Sequence, residues 1–154
     1  MIDKKNYFNN NIVNITKEAF SEAKKAGDNG EVPVGAVVFK GKNVISKAGN
    51  RVEQDNDATA HAEIIALKKA GIILKSSRLV DCSMYVTLQP CVMCTYAISL
   101  FRIKRLYFGA FKDIYEACTD ELFFKKNNYE PEVYGGIELA KSRDLLKNFF
   151  KKIR

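Results

Sequence analysis

Met84-Tyr85-Val86-Thr87-Leu88-Gln89-Pro90-Cys91-Val92-Met93-Cys94 starts as an apolar run rich in β-formers and changes character at Pro90. Met84 to Leu88 reads as a strand. Pro90 suits the first turn of a helix, where the N–H it lacks would have no intrahelical acceptor, and that helix is expected to continue to about Phe101. A strand that feeds directly into a helix is the repeating unit of an α/β layer structure.

Working outward from this run, the pattern recurs. Asn11 to Ala26 has Ile12, Ile15, Ala19 and Ala23 near helical spacing, with Gly27 and Gly30 as stops. Val34 to Phe39 is apolar on both faces, as a strand inside a sheet would be. Gly41 turns it into a second strand over Asn43 to Ala48. Thr59 to Ala70 reads as a helix capped by Asp57 or Thr59 and ended by Gly71. Arg105 to Phe108 reads as a strand closed by Gly109, Ile114 to Lys125 as a helix, and Asn127 to Glu132 as a loop. Val133 and Tyr134 form a short strand before a final helix, Ile137 to Ile153. The expected order is α-β-β-α-β-α-β-α-β-α. It predicts an α/β fold, a three-layer α/β/α sandwich with a five-stranded mixed sheet and helices on both faces.

The chain has 154 residues, which fits one domain spanning 1–154, and 47% of them are hydrophobic, enough for a core. No apolar run is long enough to span a membrane, and no apolar stretch follows Lys4 and Lys5 as a secretory leader would require, so a cytoplasmic location is expected. The formal net charge of +7 suits an anionic partner, nucleic acid being the usual one. Two groups of cations stand out. Arg102, Lys104 and Arg105 follow the helix after Pro90. The last helix carries Lys141, Arg143, Lys147, Lys151, Lys152 and Arg154 against only Glu138 and Asp144. Phe149 and Phe150 are interleaved with that second group. Phe150 reads as core, whereas Phe149 reads equally well as core or as a platform for an unstacked base.

The chemistry-bearing residues are few. His61 is the only histidine in the chain, and the four cysteines are Cys82, Cys91, Cys94 and Cys118. Thiolate sulfur and imidazole nitrogen are the donors that tetrahedral zinc prefers. Cys91 and Cys94, spaced C-x-x-C at a helix start, can face one point, and His61 from a neighbouring helix can supply a third ligand. A fourth protein ligand would have to be Cys82, Cys118 or a carboxylate, and Cys82 is expected at the far end of its strand from the metal. If none reaches, the fourth position belongs to water, as in catalytic zinc sites. A helix N-terminus lowers a thiol pKa, and zinc lowers that of water from about 15.7 to about 7. Glu63, two residues past His61, can sit beside the metal and move the proton. A lone C-x-x-C is equally compatible with redox chemistry, although zinc-bound thiolates are not free for disulfide exchange. H-x-E followed by P-C-x-x-C is the known signature of zinc nucleobase deaminases.

Further runs narrow that class. Glu31-Val32-Pro33-Val34-Gly35-Ala36, Asn50, Thr59 to Ile64 and Tyr85 to Cys94 resemble the bacterial tRNA-specific adenosine deaminases of the cytidine deaminase-like superfamily. The likeness extends through Arg105 to Ala110, Pro131 to Ile137 and Phe149-Phe150. The resemblance implies hydrolytic deamination of the wobble adenosine of a tRNA anticodon to inosine, with one Zn2+ per chain, a tRNA anticodon stem-loop as partner and a homodimer. It also implies site roles. Asn50 and the backbone at Ala62 would contact the base, Val34 would line the pocket, and Leu88 and Phe149 would sit near the entrance. The chain departs from the family's usual pattern at Gln89, where a glutamate is expected, at Phe111-Lys112-Asp113-Ile114, and at Asn127-Asn128-Tyr129-Glu130. Two other functions fit parts of the pattern: deamination of a free base or nucleoside (guanine, cytosine or cytidine), and a non-catalytic zinc domain that binds RNA or protein.

Overall fold

The computed structural model describes residues 10–112 and 129–153. The expected helix over Ile114 to Lys125, with Cys118, and Arg154 at the C-terminus lie outside the described residues. The elements are α1 (Asn10–Asp28), β1 (Gly35–Lys40), β2 (Asn43–Gly49), α2 (Val52–Asp55), α3 (Ala62–Leu74), β3 (Ser83–Leu88), α4 (Val92–Leu100), β4 (Arg105–Ala110), β5 (Glu132–Tyr134) and α5 (Leu139–Lys152). The sheet order is β2-β1-β3-β4-β5. β1 pairs antiparallel with both β2 and β3, while β3, β4 and β5 run parallel. The five-stranded mixed sheet with helices on both faces is as expected.

The pleat divides two cores. Ala36, Val38, Met84, Val86 and Leu106 point to one face and are buried with Ala62, Ala66, Leu67 and Ala70 of α3 and Ile98 of α4. Val37, Phe39, Tyr85 and Tyr107 point to the other face and are buried with Ile15, Ala19 and Phe20 of α1, with Leu145 of α5 against them. Because successive strand residues alternate sides, β1 and β3 need apolar residues at nearly every position, which is why Val34 to Phe39 showed no alternation.

Several boundaries differ from expectation, each for a local reason. α1 runs through Gly27 and ends at Asp28, and the chain then turns at Gly30, whose φ of +83° suits glycine. α3 starts at Ala62, because Asp57 Oδ1 accepts hydrogen bonds from Thr59 N and Oγ1 at 2.8 and 2.7 Å and so closes a local turn instead of capping the helix. It passes Gly71 and stops at Lys75, which adopts the left-handed conformation with φ +51°. Pro90 precedes the N-cap of α4, outside the first turn. β4 continues through Gly109 because Ala110 still pairs with Leu88. The four-residue α2 was not expected, being too short to show periodicity.

Gly35 fixes how closely α1 approaches the sheet. A Cβ at that position would run into the Ala19 carbonyl and the Ala23 amide. Gly109 plays the same part on β4, where a Cβ would meet Ser142 of α5 and the Thr87 carbonyl. Overpacking a rigid contact costs about 1–3 kcal/mol, and backbone obstacles put a site at the upper end. Gly35→Ala should therefore lower the unfolding free energy by about 3 kcal/mol in a urea titration, with the slope of the transition unchanged.

Candidate metal centre and active-site cleft

β3 ends at Leu88, and the chain passes through Gln89 and Pro90 to Cys91, the N-cap of α4 with φ −75° and ψ 174°. His61 is the N-cap of α3 with φ −71° and ψ 150°. Neither makes a side-chain cap hydrogen bond. Both cap positions are given to donor atoms aimed across the gap between the helices. His61 Nδ1 lies 3.6 Å from Cys91 Sγ and 3.5 Å from Cys94 Sγ. All three donor atoms fall within 4.8 Å of one another. A tetrahedral zinc with Zn–S of about 2.3 Å and Zn–N of about 2.0–2.1 Å holds sulfur and nitrogen about 3.5 Å apart, so the donors are set at the spacing the ion requires. Among the described residues, no fourth His, Cys, Asp or Glu joins the group. Cys82 is buried in the core at the start of β3, the opposite end of that strand from Cys91, as expected.

The electrostatics of the donors follow from the same geometry. Cys91 is pulled down to about 3, first by the hydrogen bond with Cys94 and then by His61 and the Cys94 amide. Cys94 is pushed up because it donates to Cys91 and is buried. His61 is raised, chiefly by its contact with Cys91. The pair therefore favours a thiolate at Cys91, and a cation bound by all three donors would compete with protons for them. Glu63 stands in the first turn of α3 and is only 4% exposed. Burial pushes its carboxyl up, with His61 and Lys112 opposing.

The donors open onto a cleft of about 540 Å³. His61, Glu63, Cys91, Val34, Asn50, Leu88 and Phe149 all line it. Ala62 does not. Its N–H donates to Asn50 Oδ1 at 2.8 Å, and Asn50 Nδ2 in turn donates to the Val32 carbonyl at 3.2 Å. Asn50 therefore ties the start of α3 to the loop that walls the cleft. Phe150 corrects the expectation of a core residue: it is 42% exposed and lines the cleft, because α5 ends over the site rather than over the sheet.

The cations divide. Lys147, Lys151 and Lys152 are exposed on α5 and neighbour the cleft-lining Phe149, Phe150 and Ile153 along the chain, without lining the cleft themselves. Arg102, Lys104 and Arg105 are not among the lining residues. Arg105 pairs in register with Ser83, at the end of β3 opposite Leu88, and its Nε donates to Glu132 Oε2 at 3.0 Å. The Arg102 guanidinium lies 5.0 Å from the Tyr129 ring centroid. The sequence did not single out Val32, Val52, Glu53 and Lys112 as lining residues, nor give a role to Glu31, which is buried and accepts from Gln54 N at 2.8 Å. Glu31 and Val32 were visible within the Glu31 to Ala36 run. Nothing in the pattern marked α2.

Residues 10–154 match the MafB19-like deaminase family. The tRNA-specific adenosine deaminase of Rickettsia bellii is 43% identical over 143 residues, covering 90% of this chain and 99% of its own. The chain belongs to the tRNA-specific adenosine deaminase family. A structure from work on A-to-I editing by tRNA:A34 deaminases at the wobble position superposes with a TM-score of 0.82. It is 39% identical and covers 87% of this deaminase and 99% of that chain. Guanine deaminase from Bacillus subtilis matches with a TM-score of 0.61 and 36% identity, over 64% of this chain and 63% of that one. The donor set and spacing of this deaminase fit a single zinc ion.

Metal analysis checks the donor assignment. The purified protein should hold about one zinc per chain, with His61→Ala and Cys91→Ala each losing most of it. Because protons compete for the donors, zinc affinity should fall as pH is lowered, and zinc addition at neutral pH should release protons measurable by a change in heat with buffer ionisation enthalpy.

Proposed function

We propose that this chain hydrolyses the wobble adenosine of a tRNA anticodon to inosine, releasing ammonia. The observation that carries this reading is Glu63 buried beside the His61, Cys91 and Cys94 donors, in a chain 43% identical to a tRNA-specific adenosine deaminase. His61, Cys91 and Cys94 would hold the ion. Zinc bound there supplies Lewis-acid activation of water. Glu63 then does the proton work. Its carboxylate takes a proton from the attacking water as oxygen bonds to C6 of the adenine and passes it to N1, which receives the electron pair of the C6–N1 double bond. The second water proton is carried to the amino nitrogen as the bond from C6 to that nitrogen breaks, ammonia leaves and C6 becomes a carbonyl. A carboxyl raised by burial binds that proton more firmly than a solvated one, which brings its affinity closer to the working pH.

Val34 and Leu88 give the base apolar walls, and Phe149 offers a ring at the mouth for a neighbouring nucleotide. Asn50 holds the start of α3, and through it His61 and Glu63, in place against the Val32 carbonyl. Lys147, Lys151 and Lys152 supply positive charge around the mouth for the phosphates of the anticodon loop. Arg102, Lys104 and Arg105 stand at the other end of the sheet and are assigned no contact with the flipped nucleotide. The described residues include no helix long and apolar enough to cross a membrane, and a tRNA substrate suits a cytoplasmic enzyme.

A homodimer also belongs to this reading. Val92, Tyr96 and Leu100 repeat every fourth residue along α4 and are 46%, 46% and 63% exposed. A second copy of the chain would cover that apolar stripe. Tyr96→Glu should shift the protein from dimer to monomer in light scattering while leaving far-UV circular dichroism unchanged.

Deamination of free guanine is the second reading, favoured by the likeness to a guanine deaminase. One assay separates the two. An anticodon stem-loop with adenosine at the wobble position should yield inosine, the same loop with cytidine there should be inert, and free guanine, cytosine, adenosine and cytidine should not be turned over. Glu63→Gln should reduce the rate on the adenosine loop by at least about 10²–10⁴-fold, as expected for a proton-transfer residue. Turnover of free guanine with an inert stem-loop would reject the tRNA reading.

A further inference from the structure

Lys17, Phe20, Ser21 and Lys24 of α1 and Lys141, Leu145 and Asn148 of α5 enclose a groove of about 520 Å³ outside the catalytic cleft. All three lysines are exposed. Lys141 Nζ sits 4.4 Å from the Phe20 ring centroid, which holds its ammonium over the groove floor. The acids of α1 face elsewhere. Glu18 Oε2 accepts from Lys47 Nζ of β2 at 2.6 Å, and Glu22 Oε1 lies 3.3 Å from Lys25 Nζ and 4.0 Å from Lys47 Nζ. Glu138 and Asp144 of the α5 segment do not line the groove. Among the described residues, then, the groove wall carries three cations and no carboxylate.

Along the chain, both walls of the groove adjoin segments that line the catalytic cleft. Its α5 wall ends at Asn148, and the next residues, Phe149 and Phe150, line the catalytic cleft. Its α1 wall ends at Lys24, and the chain that leaves α1 lines the same cleft at Gly30, Glu31 and Val32. Lys141 to Asn148 spans roughly 10 Å of helix, a distance that covers one to two phosphates of a nucleic-acid strand. We propose that the α1–α5 groove is the docking track for the RNA backbone that runs away from the flipped adenosine, with Lys17, Lys24 and Lys141 neutralising its phosphates. The inference rests on the tRNA reading for the identity of the strand. Its charge argument rests on the groove alone.

The test uses the full-length, zinc-loaded protein and a fluorescent anticodon stem-loop with adenosine at the wobble position. Dissociation constants are measured by anisotropy from low to moderate salt. They are taken for the native protein, for K17A/K24A/K141A, and for K42A/K68A/K75A, which removes the same charge from exposed sites elsewhere. The groove variant should bind about tenfold more weakly at low salt, and its log–log salt slope should be shallower by about one unit, since the groove holds one to two phosphates and each lost contact on a single strand removes about 0.7. The control variant should keep the native slope. K17R/K24R/K141R should restore both quantities, and all variants should melt at the native temperature. Equal losses in the groove and control variants, or no loss in either, would overturn the proposal. Inosine formation by the native protein is scored in parallel. Loss of binding specific to the groove variant in a protein that makes no inosine leaves the docking track standing and rejects the adenosine reading.

Discussion

Two helix N-termini must converge so that three soft donor atoms come within one ion's coordination sphere. β3 delivers Cys91 and Cys94 at its C-terminal end, and the chain after β2 delivers His61 from across the gap. Nothing in α3 alone fixes where it starts. The Arg51 N–H donating to the Ala60 carbonyl at 3.0 Å, and Asn50 bridging Ala62 and Val32, hold that start in register with the sheet. The glycines at 35 and 109 let α1 and α5 close on the sheet's other face, which brings the end of α5 to the mouth of the cleft. Thus the metal geometry on one face depends on close backbone packing on both.

Much of this was legible in the sequence because the signals were local. A strand ending in Gln89-Pro90 followed by C-x-x-C states both the turn and the ligand spacing, and a single histidine leaves no choice of imidazole. Layer architecture followed from apolar runs of the right length. What could not be read were facts about distance between elements. The cluster Arg102, Lys104 and Arg105 follows the zinc helix in sequence, yet α4 carries the chain back along β3, so the cluster lies at the far end of the sheet. Phe150 has the look of a core aromatic on an amphipathic helix, but the helix outlasts the sheet beneath it. Asn50 enters the sequence reading only as a base contact implied by the resemblance, and the fold adds that its amide bridges the Ala62 N–H and the Val32 carbonyl.

The cleft sets burial against chemistry. Glu63 would be more comfortable in water at the exposed start of a helix. Held at 4% exposure, its carboxyl binds a proton more readily, and its place in the first turn of α3 favours the charged form when the proton leaves. The two influences pull in opposite directions on one group, which is how a carboxyl is set to accept and return a proton rather than to keep or lose it outright.

The uncapped starts of α3 and α4 have a further consequence for folding. His61 and Cys91 occupy positions where serine, threonine, aspartate or asparagine would each contribute about 1 kcal/mol, so these two helices together forgo about 2 kcal/mol of capping. A ligand that binds only the folded state restores it by mass action. Zinc bound between these two helix starts would therefore stabilise the fold as well as supply the chemistry of the site.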